Sequence, residues 1–399
     1  MTRADASASE PGGAAFKGAG GGAVQGGRPA PGARPNSVAL RPGYHSPQVE
    51  VETRLNTNEA PEPPPQQFLD ELAVAVSQLA ANRYPDRRAT ALRSAIADHH
   101  GVDLDRVFCA NGSNEVLQCL FLAYGGTGRS TVVFEPTYAL HSHIARLTAT
   151  EVVTGDRDED FRVDVPTARR LLARVGRDRG ASEPSITMLC SPNNPTGGTE
   201  PRETVAALAG DVPGLLVVDE AYGQFARSSA LELVDENPSI VVVRTFSKTW
   251  AMAALRLGYL VAHPEIVAAC EQVVLPYHLD AVKQAAGVLA LGYEPEMRQR
   301  VARLLEQRNR VAAALAALDL QSWPSDANFI LFRMPGHESG DVWQRLVEHS
   351  VLVRDVSGWP GLEGCLRVTI GTPAENDRFL RGLEEVLAES ARQGATSFE

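Results

Sequence analysis

Short apolar runs alternate with helix-like stretches from about residue 90 to about residue 290. The runs include "STVVFE", "SITMLC", "LLVVD" and "IVVVRT", and stretches such as "TYALHSHIARLTAT" separate them. Near-continuous Val, Ile and Leu segments of this length are typical of strands in a parallel sheet that is buried on both faces. The pattern therefore predicts a large α/β domain over residues 90–290, with a mostly parallel sheet covered by helices.

The pattern changes after residue 290. A long amphipathic helix is predicted from "EPEMRQRVARLLEQRNRVAAALAAL", and the short strands "NFILFRM", "SVLVRDV" and "CLRVTIG" then alternate with helix-like segments. We expect a smaller α/β domain over residues 291–399. Residues 38–89 are expected to join this domain and to close on the site. Residues 1–37 are rich in Gly, Ala and Pro, and we expect a disordered tail because they offer little apolar surface to bury.

Charge and cysteine content narrow the possible partners and compartment. The formal net charge of -11 disfavours nucleic acid or an anionic membrane surface as the main partner, because both are polyanions. No apolar run approaches the ~18 residues of a membrane-spanning helix. The five cysteines are scattered without the spacing of a zinc site, so we expect no metal and interpret them as reduced thiols of a cytoplasmic protein.

Polar clusters directly follow four of the predicted strands. Residues 111–114 ("NGSN") follow "RVFCA", residues 191–197 ("SPNNPTG") follow "TMLC", residues 219–222 ("DEAY") follow "LLVV", and Ser247 and Lys248 follow "IVVVRTF". Ligands of open parallel sheets bind outside the carboxyl ends of the strands. We therefore expect the four clusters to meet at one edge of the sheet.

Part of this set suits a phosphate group. A helix that opens at Gly112, Ser113 and Asn114 would offer backbone N–H groups and the positive end of its dipole. Ser247 and Arg256 could add a hydroxyl and a guanidinium to the same anion. The sequence thus predicts a phosphate site at the edge of the sheet.

The rest of the set suits an aromatic aldehyde. Asp219 could pair with a protonated ring nitrogen, Asn194 and Tyr222 could hydrogen-bond a ring oxygen, and Tyr138 could stack on the ring. Lys248 could supply an amine nucleophile. Each feature alone is also typical of a turn, a helix cap or a solvated charge. Together they describe pyridoxal 5′-phosphate bound as a Schiff base.

Lysine is scarce in this chain, which has only Lys17, Lys248 and Lys283. Lys17 lies in the tail. Lys283 lies in the helix-like "LDAVKQAAGVLAL" without phosphate-binding neighbours, so we expect it at the surface or in an interface. Lys248 is therefore the candidate for the catalytic amine.

The motifs "SPNNPTG", "VVDEAY" and "RTFSKTWAMAALRLGY" resemble those of the class I and II aminotransferases of fold type I. More narrowly, "LNTNEAP", "RYPD", "NGSNE" and "LPYHLDAVKQAAGVLAL" are similar, in the same order, to segments of histidinol-phosphate aminotransferases. The resemblance covers about residues 38–385. It implies a large sheet of the seven-stranded type, pyridoxal 5′-phosphate as the cofactor, and a homodimer.

The resemblance also implies roles for individual residues. Lys248 matches the lysine that forms the Schiff base and moves the proton during the reaction. Tyr84 matches a tyrosine that reaches the cofactor phosphate of the neighbouring subunit. The other cofactor positions are Asp219 at the ring nitrogen, Asn194 and Tyr222 at the ring oxygen, Tyr138 on the ring face, and Ser113, Asn114, Ser247 and Arg256 around the phosphate.

The substrate positions implied by the resemblance lie mainly in the small domain. Arg354 and Arg367 are thirteen residues apart, at the ends of two predicted strands, and match arginines that bind the anionic end of the substrate. A guanidinium binds phosphate or carboxylate bidentately, so one site could serve both an amino donor and a 2-oxo acid. Tyr44 and Asn58 match positions that close over the substrate, and Asn194 adjoins it.

The implied reaction is transfer of the amino group from histidinol phosphate to 2-oxoglutarate, giving imidazole-acetol phosphate and glutamate, in histidine biosynthesis. Two departures from the family pattern mean that the resemblance does not decide the identity of the substrate. "NEAP" stands where "NENP" is usual, and Ala254 stands where glycine is common. The alternatives are a transaminase for aromatic amino acids or for a specialised pathway, and a decarboxylase of an amino-acid phosphate. Lys248 and Asp219 disfavour a non-catalytic module.

Overall fold

The computed structural model describes residues 47–178 and 184–396. The expected tail over residues 1–37 and the candidate substrate residue Tyr44 lie outside these ranges. Within them, none of the helices combines the length and the apolar character that crossing a membrane requires.

The secondary structure of the described residues alternates strands and helices through most of the chain. The strands are β1 Thr53–Leu55, β2 Val107–Ala110, β3 Ser130–Glu135, β4 Glu151–Asp156, β5 Pro184–Cys190, β6 Leu215–Asp219, β7 Ile240–Thr245, β8 Gly258–Val261, β9 Gln321–Ser322, β10 Phe329–Arg333, β11 Val351–Asp355 and β12 Cys365–Thr369. The α-helices are α1 Gln66–Ser77, α2 Thr90–His100, α3 Ser113–Tyr124, α4 Leu140–Leu147, α5 Val165–Asp178, α6 Arg202–Asp211, α7 Pro264–Val273, α8 Ala281–Leu291, α9 Glu294–Ala317, α10 Ser339–Glu348 and α11 Pro373–Thr396.

The larger sheet of the described ranges has seven strands in the order β2-β8-β7-β6-β5-β3-β4. β8 is antiparallel to both of its neighbours, and every other pairing is parallel. The mostly parallel sheet of the seven-stranded type is therefore confirmed. Because β2, β3, β5, β6 and β7 run in one direction, their carboxyl ends share one edge, as expected from the polar clusters.

Both faces of this sheet are covered, as the apolar strands predict. Alternate residues of β7 enter different cores: Ile240 and Val242 belong to one hydrophobic cluster, and Val241 and Val243 belong to another. All four side chains are at most 1% exposed. Successive side chains of a strand point to opposite faces, so continuous Val and Ile runs require packing on both sides.

The smaller sheet has the order β1-β11-β12-β10-β9 in the described residues. β1 is parallel to β11 and pairs Leu55 with Val353, and the other neighbours are antiparallel. β1 comes from the segment before residue 90 and pairs with the small sheet. The division at 37, 89 and 290 stays a prediction, although the two sheets are compatible with it.

Candidate active site

A cavity of about 350 Å³ opens at the carboxyl edge of the large sheet. Its walls come from the loops after β1, β2, β3, β5, β6 and β7, so the polar clusters meet as expected. Ten of the candidate residues line it: Asn58, Ser113, Asn114, Tyr138, Asn194, Asp219, Tyr222, Ser247, Lys248 and Arg256.

One end of the cavity has the features of a phosphate site. α3 begins at Ser113 after Gly112, whose φ is +80°, and the N–H groups of a first helical turn have no partner within the helix. A Cβ at Gly112 would lie 2.6 Å from Nη2 of Arg256. The backbone of Arg256 also lies in the left-handed region (φ +53°). Its Nη1 donates to Oγ of Ser247 at 3.3 Å. A guanidinium, a hydroxyl and a helix N-terminus thus converge on a space that only glycine leaves open.

Gly258, the first residue of β8, supports the same loop from behind. A Cβ at this position would lie 2.3 Å from the backbone N of Ser113 and 2.5 Å from the backbone carbon of Gly112. Backbone atoms cannot move aside as a flexible side chain does, so the approach of β8 to α3 requires glycine here.

Asp219 ends β6 on the opposite side of the cavity. It is 2% exposed, and its carboxylate accepts hydrogen bonds from N of Ala221 (3.0 Å) and from Nε2 of His141 (2.9 Å). A buried carboxylate is stable only beside a cation or hydrogen-bond donors. The residues present therefore fit a cofactor with a phosphate at one end and a protonated ring nitrogen at the other.

His141 is a site residue that the sequence interpretation missed. It is fully buried in α4, and its ring lies edge-on to Tyr138 with 5.5 Å between centroids. The local signal in the sequence is its position three residues after Tyr138, in the first turn of α4. Its contact with Asp219 spans 78 residues and has no local signature.

Lys248 lines the same cavity. Its Nζ donates to the carbonyl of Thr57 at 3.3 Å and lies 5.7 Å from the ring centre of Tyr222. Burial, followed by the positive charge of Arg367, lowers the pKa of Lys248 to about 8, although the carboxylate of Glu59 opposes the shift. A larger fraction of this amine is therefore neutral near pH 7 than for an ordinary lysine.

Lys283 lies in a different setting. It pairs with Asp280 at the start of α8 and does not line the cavity. Lys283 thus lies outside the cavity that Lys248 lines, and the role of Lys248 as the catalytic amine stays a prediction.

Asn194 and Tyr222 both line the cavity, and each carries a hydrogen-bond donor. Oδ1 of Asn194 accepts from Nη1 of Arg367 at 2.5 Å, which leaves its Nδ2 on the other side of the amide. The hydroxyl oxygen of Tyr222 accepts from Nδ2 of Asn58 at 2.9 Å. Both groups can therefore donate to an oxygen bound between them, as the ring-oxygen assignment requires.

Arg354 and Arg367 are direct partners across β11 and β12. The expectation that they stand at strand ends is wrong for Arg367, which is the central residue of β12. Arg367 is 1% exposed and also donates to the carbonyl of Asn56 at 2.9 Å. It reaches the cavity through Asn194, and neither Arg367 nor Arg354 is itself among the residues that line the cavity.

Tyr84 lies away from the cavity of its own chain. It is 81% exposed and stacks on Tyr277 with 4.5 Å between ring centres. An exposed aromatic pair of this kind is compatible with contact to a second subunit. The role of Tyr84 in the partner's site stays a prediction.

Comparison with known proteins agrees with this geometry. The model of the aminotransferase class I and II family matches residues 51–383. A histidinol-phosphate aminotransferase from Thermobifida fusca is 46% identical over 348 residues, covering 85% of this chain and 91% of that protein. One from Frankia casuarinae is 44% identical over 362 residues, covering 87% of this chain and 88% of that protein.

A solved structure extends the agreement to the fold. The histidinol-phosphate aminotransferase from Sinorhizobium meliloti, in complex with pyridoxal 5′-phosphate, aligns with a TM-score of 0.80 and 24% identity, covering 90% of this chain and 98% of that one. At this identity the likeness supports the fold alone. The family match and the sequence relatives confirm the expected aminotransferase and its cofactor, pyridoxal 5′-phosphate. The chain belongs to the aminotransferase class I and II family, in the group that contains the histidinol-phosphate aminotransferases.

Proposed function

We propose that this transaminase takes histidinol phosphate as its amino donor and 2-oxoglutarate as its acceptor. The relatives from Thermobifida fusca and Frankia casuarinae, which carry the name histidinol-phosphate aminotransferase, support this substrate at 46% and 44% identity. The structural observation that carries the proposal is the buried guanidinium of Arg367, which donates a hydrogen bond to Asn194 in the wall of the cavity. It supplies a fixed cation where an anionic substrate can enter.

The cofactor would be held between the two ends of the cavity. Gly112, Ser113, Asn114, Ser247 and Arg256 would hold its phosphate, and Asp219 would hold its ring nitrogen in the protonated form. When bound, pyridoxal 5′-phosphate withdraws electrons from the substrate and so lets a proton leave the substrate carbon.

The remaining residues position and exchange protons. His141 holds the carboxylate of Asp219 in place through its Nε2 hydrogen bond. Nζ of Lys248 is the base that takes and returns the substrate proton, because its lowered pKa keeps part of the amine neutral near pH 7. Tyr138 would cover one face of the ring, and Asn194 and Tyr222 would donate to the ring oxygen.

Arg367 and Arg354 would bind the anionic end of the substrate. A guanidinium is planar and always charged, so it binds a phosphate or a carboxylate with two parallel hydrogen bonds. Such a site accepts the phosphate of the donor in one half-reaction and a carboxylate of 2-oxoglutarate in the other. Asn58 and Tyr44 complete the proposed substrate side.

We assign a homodimer and a cytoplasmic location to the same proposal. Several large apolar side chains of α1, α8 and the segment before α8 are exposed, including Val74, Leu275 and Val288. Tyr277, two residues after Leu275, is also exposed and stacks on Tyr84. Exposed apolar side chains of this kind suit an interface between two copies of the chain. The five cysteines are free and buried, as in proteins of a reducing compartment.

The test of the substrate is a half-reaction experiment. Candidate amines are added singly to the enzyme loaded with pyridoxal 5′-phosphate, and the conversion to the pyridoxamine form is followed by absorbance. We expect histidinol phosphate to convert the cofactor with the highest second-order rate constant among the amines tested. A higher rate constant for phenylalanine or tyrosine would replace it with an aromatic donor, and release of CO₂ would indicate a decarboxylase.

A further inference from the structure

Asn58 lies at the centre of a buried hydrogen-bond chain that joins the small sheet to Tyr222. It is 1% exposed, and its φ of +56° lies in the left-handed region, which asparagine tolerates better than most residues. Its backbone N donates to Oγ1 of Thr369 at 3.0 Å, and its carbonyl accepts from Nδ2 of Asn328 at 3.2 Å. These contacts hold Asn58 in a conformation that would otherwise be costly.

The direction of each hydrogen bond in this chain follows from the partners of Thr369. Oγ1 of Thr369 accepts from the backbone N of Asn58 and donates to Oδ1 of the same residue at 3.0 Å. Thr369 is 4% exposed, and in the described part of the chain its hydroxyl has no hydrogen-bond partner besides Asn58. The reversed amide would leave the buried Thr369 proton without an acceptor, which is costly.

Nδ2 of Asn58 therefore faces Tyr222. An amide nitrogen donates and does not accept, so the hydroxyl oxygen of Tyr222 is the acceptor in this contact, at 2.9 Å. The proton of Tyr222 must then be directed to a different acceptor. Asn58, in the loop after β1, thus determines the direction of the hydrogen bonds that the Tyr222 hydroxyl makes.

We infer that Asn58 is a positioning residue, which makes Tyr222 a hydrogen-bond donor to the ring oxygen of the cofactor, and that Thr369 fixes Asn58 for this task. The inference rests on the proposed placement of Tyr222 at the ring oxygen. It gives Asn58 a different role from closing over the substrate, the role that its family match implies. Asn58 acts before any substrate has entered.

The position of Thr369 explains why the small sheet affects the cofactor at all. Thr369 and Arg367 are two residues apart in β12, so their side chains leave the same face of the strand. Arg367 orients the amide of Asn194, and Thr369 orients Tyr222 through Asn58. One strand of the small sheet therefore sets both donors that face the ring oxygen.

A donor at that oxygen has a measurable consequence. A hydrogen bond to the charged form of an oxygen stabilises that form. It also weakens the attraction between this oxygen and the proton on the neighbouring Schiff-base nitrogen of the bound cofactor. The pKa of that proton is therefore lowered. Removal of the donor raises the midpoint of the pH-dependent absorption change. The charged groups that face this part of the cavity are Glu59, Asp219, Lys248, Arg256 and Arg367.

The test measures the absorption of bound pyridoxal 5′-phosphate against pH, without substrate, in the wild type, Tyr222→Phe, Asn58→Gly and the double variant. Glycine is chosen because it adopts φ +56° without strain. We expect Tyr222→Phe to raise the midpoint by about one pH unit. Asn58→Gly is expected to raise it by less, and to add nothing when Tyr222 is already phenylalanine.

Thr369 provides an independent pair of variants. Thr369→Val removes the hydroxyl that orients Asn58 and is expected to shift the midpoint in the same direction as Asn58→Gly. Thr369→Ser keeps the hydroxyl and is expected to restore the wild-type midpoint. Thermal unfolding of each variant shows whether it is folded, and the Thr369 pair carries the test if Asn58→Gly does not fold.

Two results would overturn the inference, and they differ in what else they affect. If Tyr222→Phe shifts the midpoint but Asn58→Gly and Thr369→Val do not, Asn58 does not orient Tyr222, and the proposed cofactor site stands. If Tyr222→Phe itself leaves the midpoint unchanged, the placement of Tyr222 at the ring oxygen fails together with the inference. A rise in KM with an unchanged midpoint would indicate direct substrate contact by Asn58.

Discussion

The two sheets contribute to the site in different ways. The large sheet supplies groups directly from its strand ends: Asp219 is the last residue of β6, and Lys248 follows β7 by three positions. In the small sheet, the loop after β1 lines the cavity directly, whereas β12 reaches it through intermediaries, since Arg367 contacts Asn194 and Thr369 contacts Asn58. The difference supports the proposed division, in which the large sheet would hold the cofactor while β12 of the small sheet would orient the groups around it and bind the substrate.

The strongest test of this division replaces the amine on the large-sheet side. Lys248→Ala is expected to lower turnover by at least about 10³-fold, because it removes the base. Circular dichroism and the melting temperature should remain close to those of the wild type. Lys283→Ala is the control, since Lys283 only pairs with Asp280 at the start of α8. Substantial activity in Lys248→Ala would exclude Lys248 as the base.

The next test acts on the small-sheet side. Arg367→Lys keeps the charge but loses the planar fork, so we expect kcat/KM for a phosphorylated amine to fall by roughly 10²-fold. Arg333→Lys is the matched control in the neighbouring strand β10, where Arg333 contacts Trp323 and Cys365 outside the cavity. Equal losses in the two variants would show that Arg367 has no special role in binding.

A smaller effect is expected from the packing behind the phosphate site. Gly258→Ala would place a Cβ 2.3 Å from the backbone N of Ser113, so the loop must move and cofactor affinity should fall by about 10-fold, or ~1.4 kcal/mol. Equilibrium dialysis or fluorescence titration measures the loss. Gly210→Ala is the control, because a Cβ at this position in α6 meets nothing within 4 Å. Unchanged affinity in Gly258→Ala would contradict the proposed phosphate site.

The smallest expected effect is a shift in pH dependence. Burial and Arg367 lower the pKa of Lys248 to about 8, and only the neutral amine reacts with an aldehyde. The rate at which the cofactor-free protein takes up pyridoxal 5′-phosphate should therefore rise through pH 8 and level above it. Glu59→Gln should move this midpoint to lower pH, because the Glu59 carboxylate raises the pKa. A rate that keeps rising to about pH 10 would indicate an ordinary lysine.

The same difference between the sheets explains what the sequence could predict. The placement of Asp219, Lys248 and Ser113 at one edge was predictable because each lies at, or within three residues of, the end of a strand, and the carboxyl ends of parallel strands meet at one edge whatever the rest of the chain does. The apolar strand pattern likewise predicted a covered, mostly parallel sheet, which the strand order confirms.

The small-sheet contribution could not be predicted in this way. The Asn58–Tyr222 contact spans 164 residues and the Asn58–Thr369 contact spans 311. Such contacts depend on the pairing of the three-residue strand β1 with β11, and a strand of this length has too few residues for a periodic signal. His141 was missed for the same reason, because its partner Asp219 is distant in the chain.

The most direct test of the account is chemical identification of the lysine that holds the cofactor. Enzyme loaded with pyridoxal 5′-phosphate is reduced with borohydride, digested, and analysed by mass spectrometry for a pyridoxyl-modified peptide. The account predicts the modification at Lys248 and at neither Lys17 nor Lys283. A modification at either of those two lysines, or none at all, would contradict it.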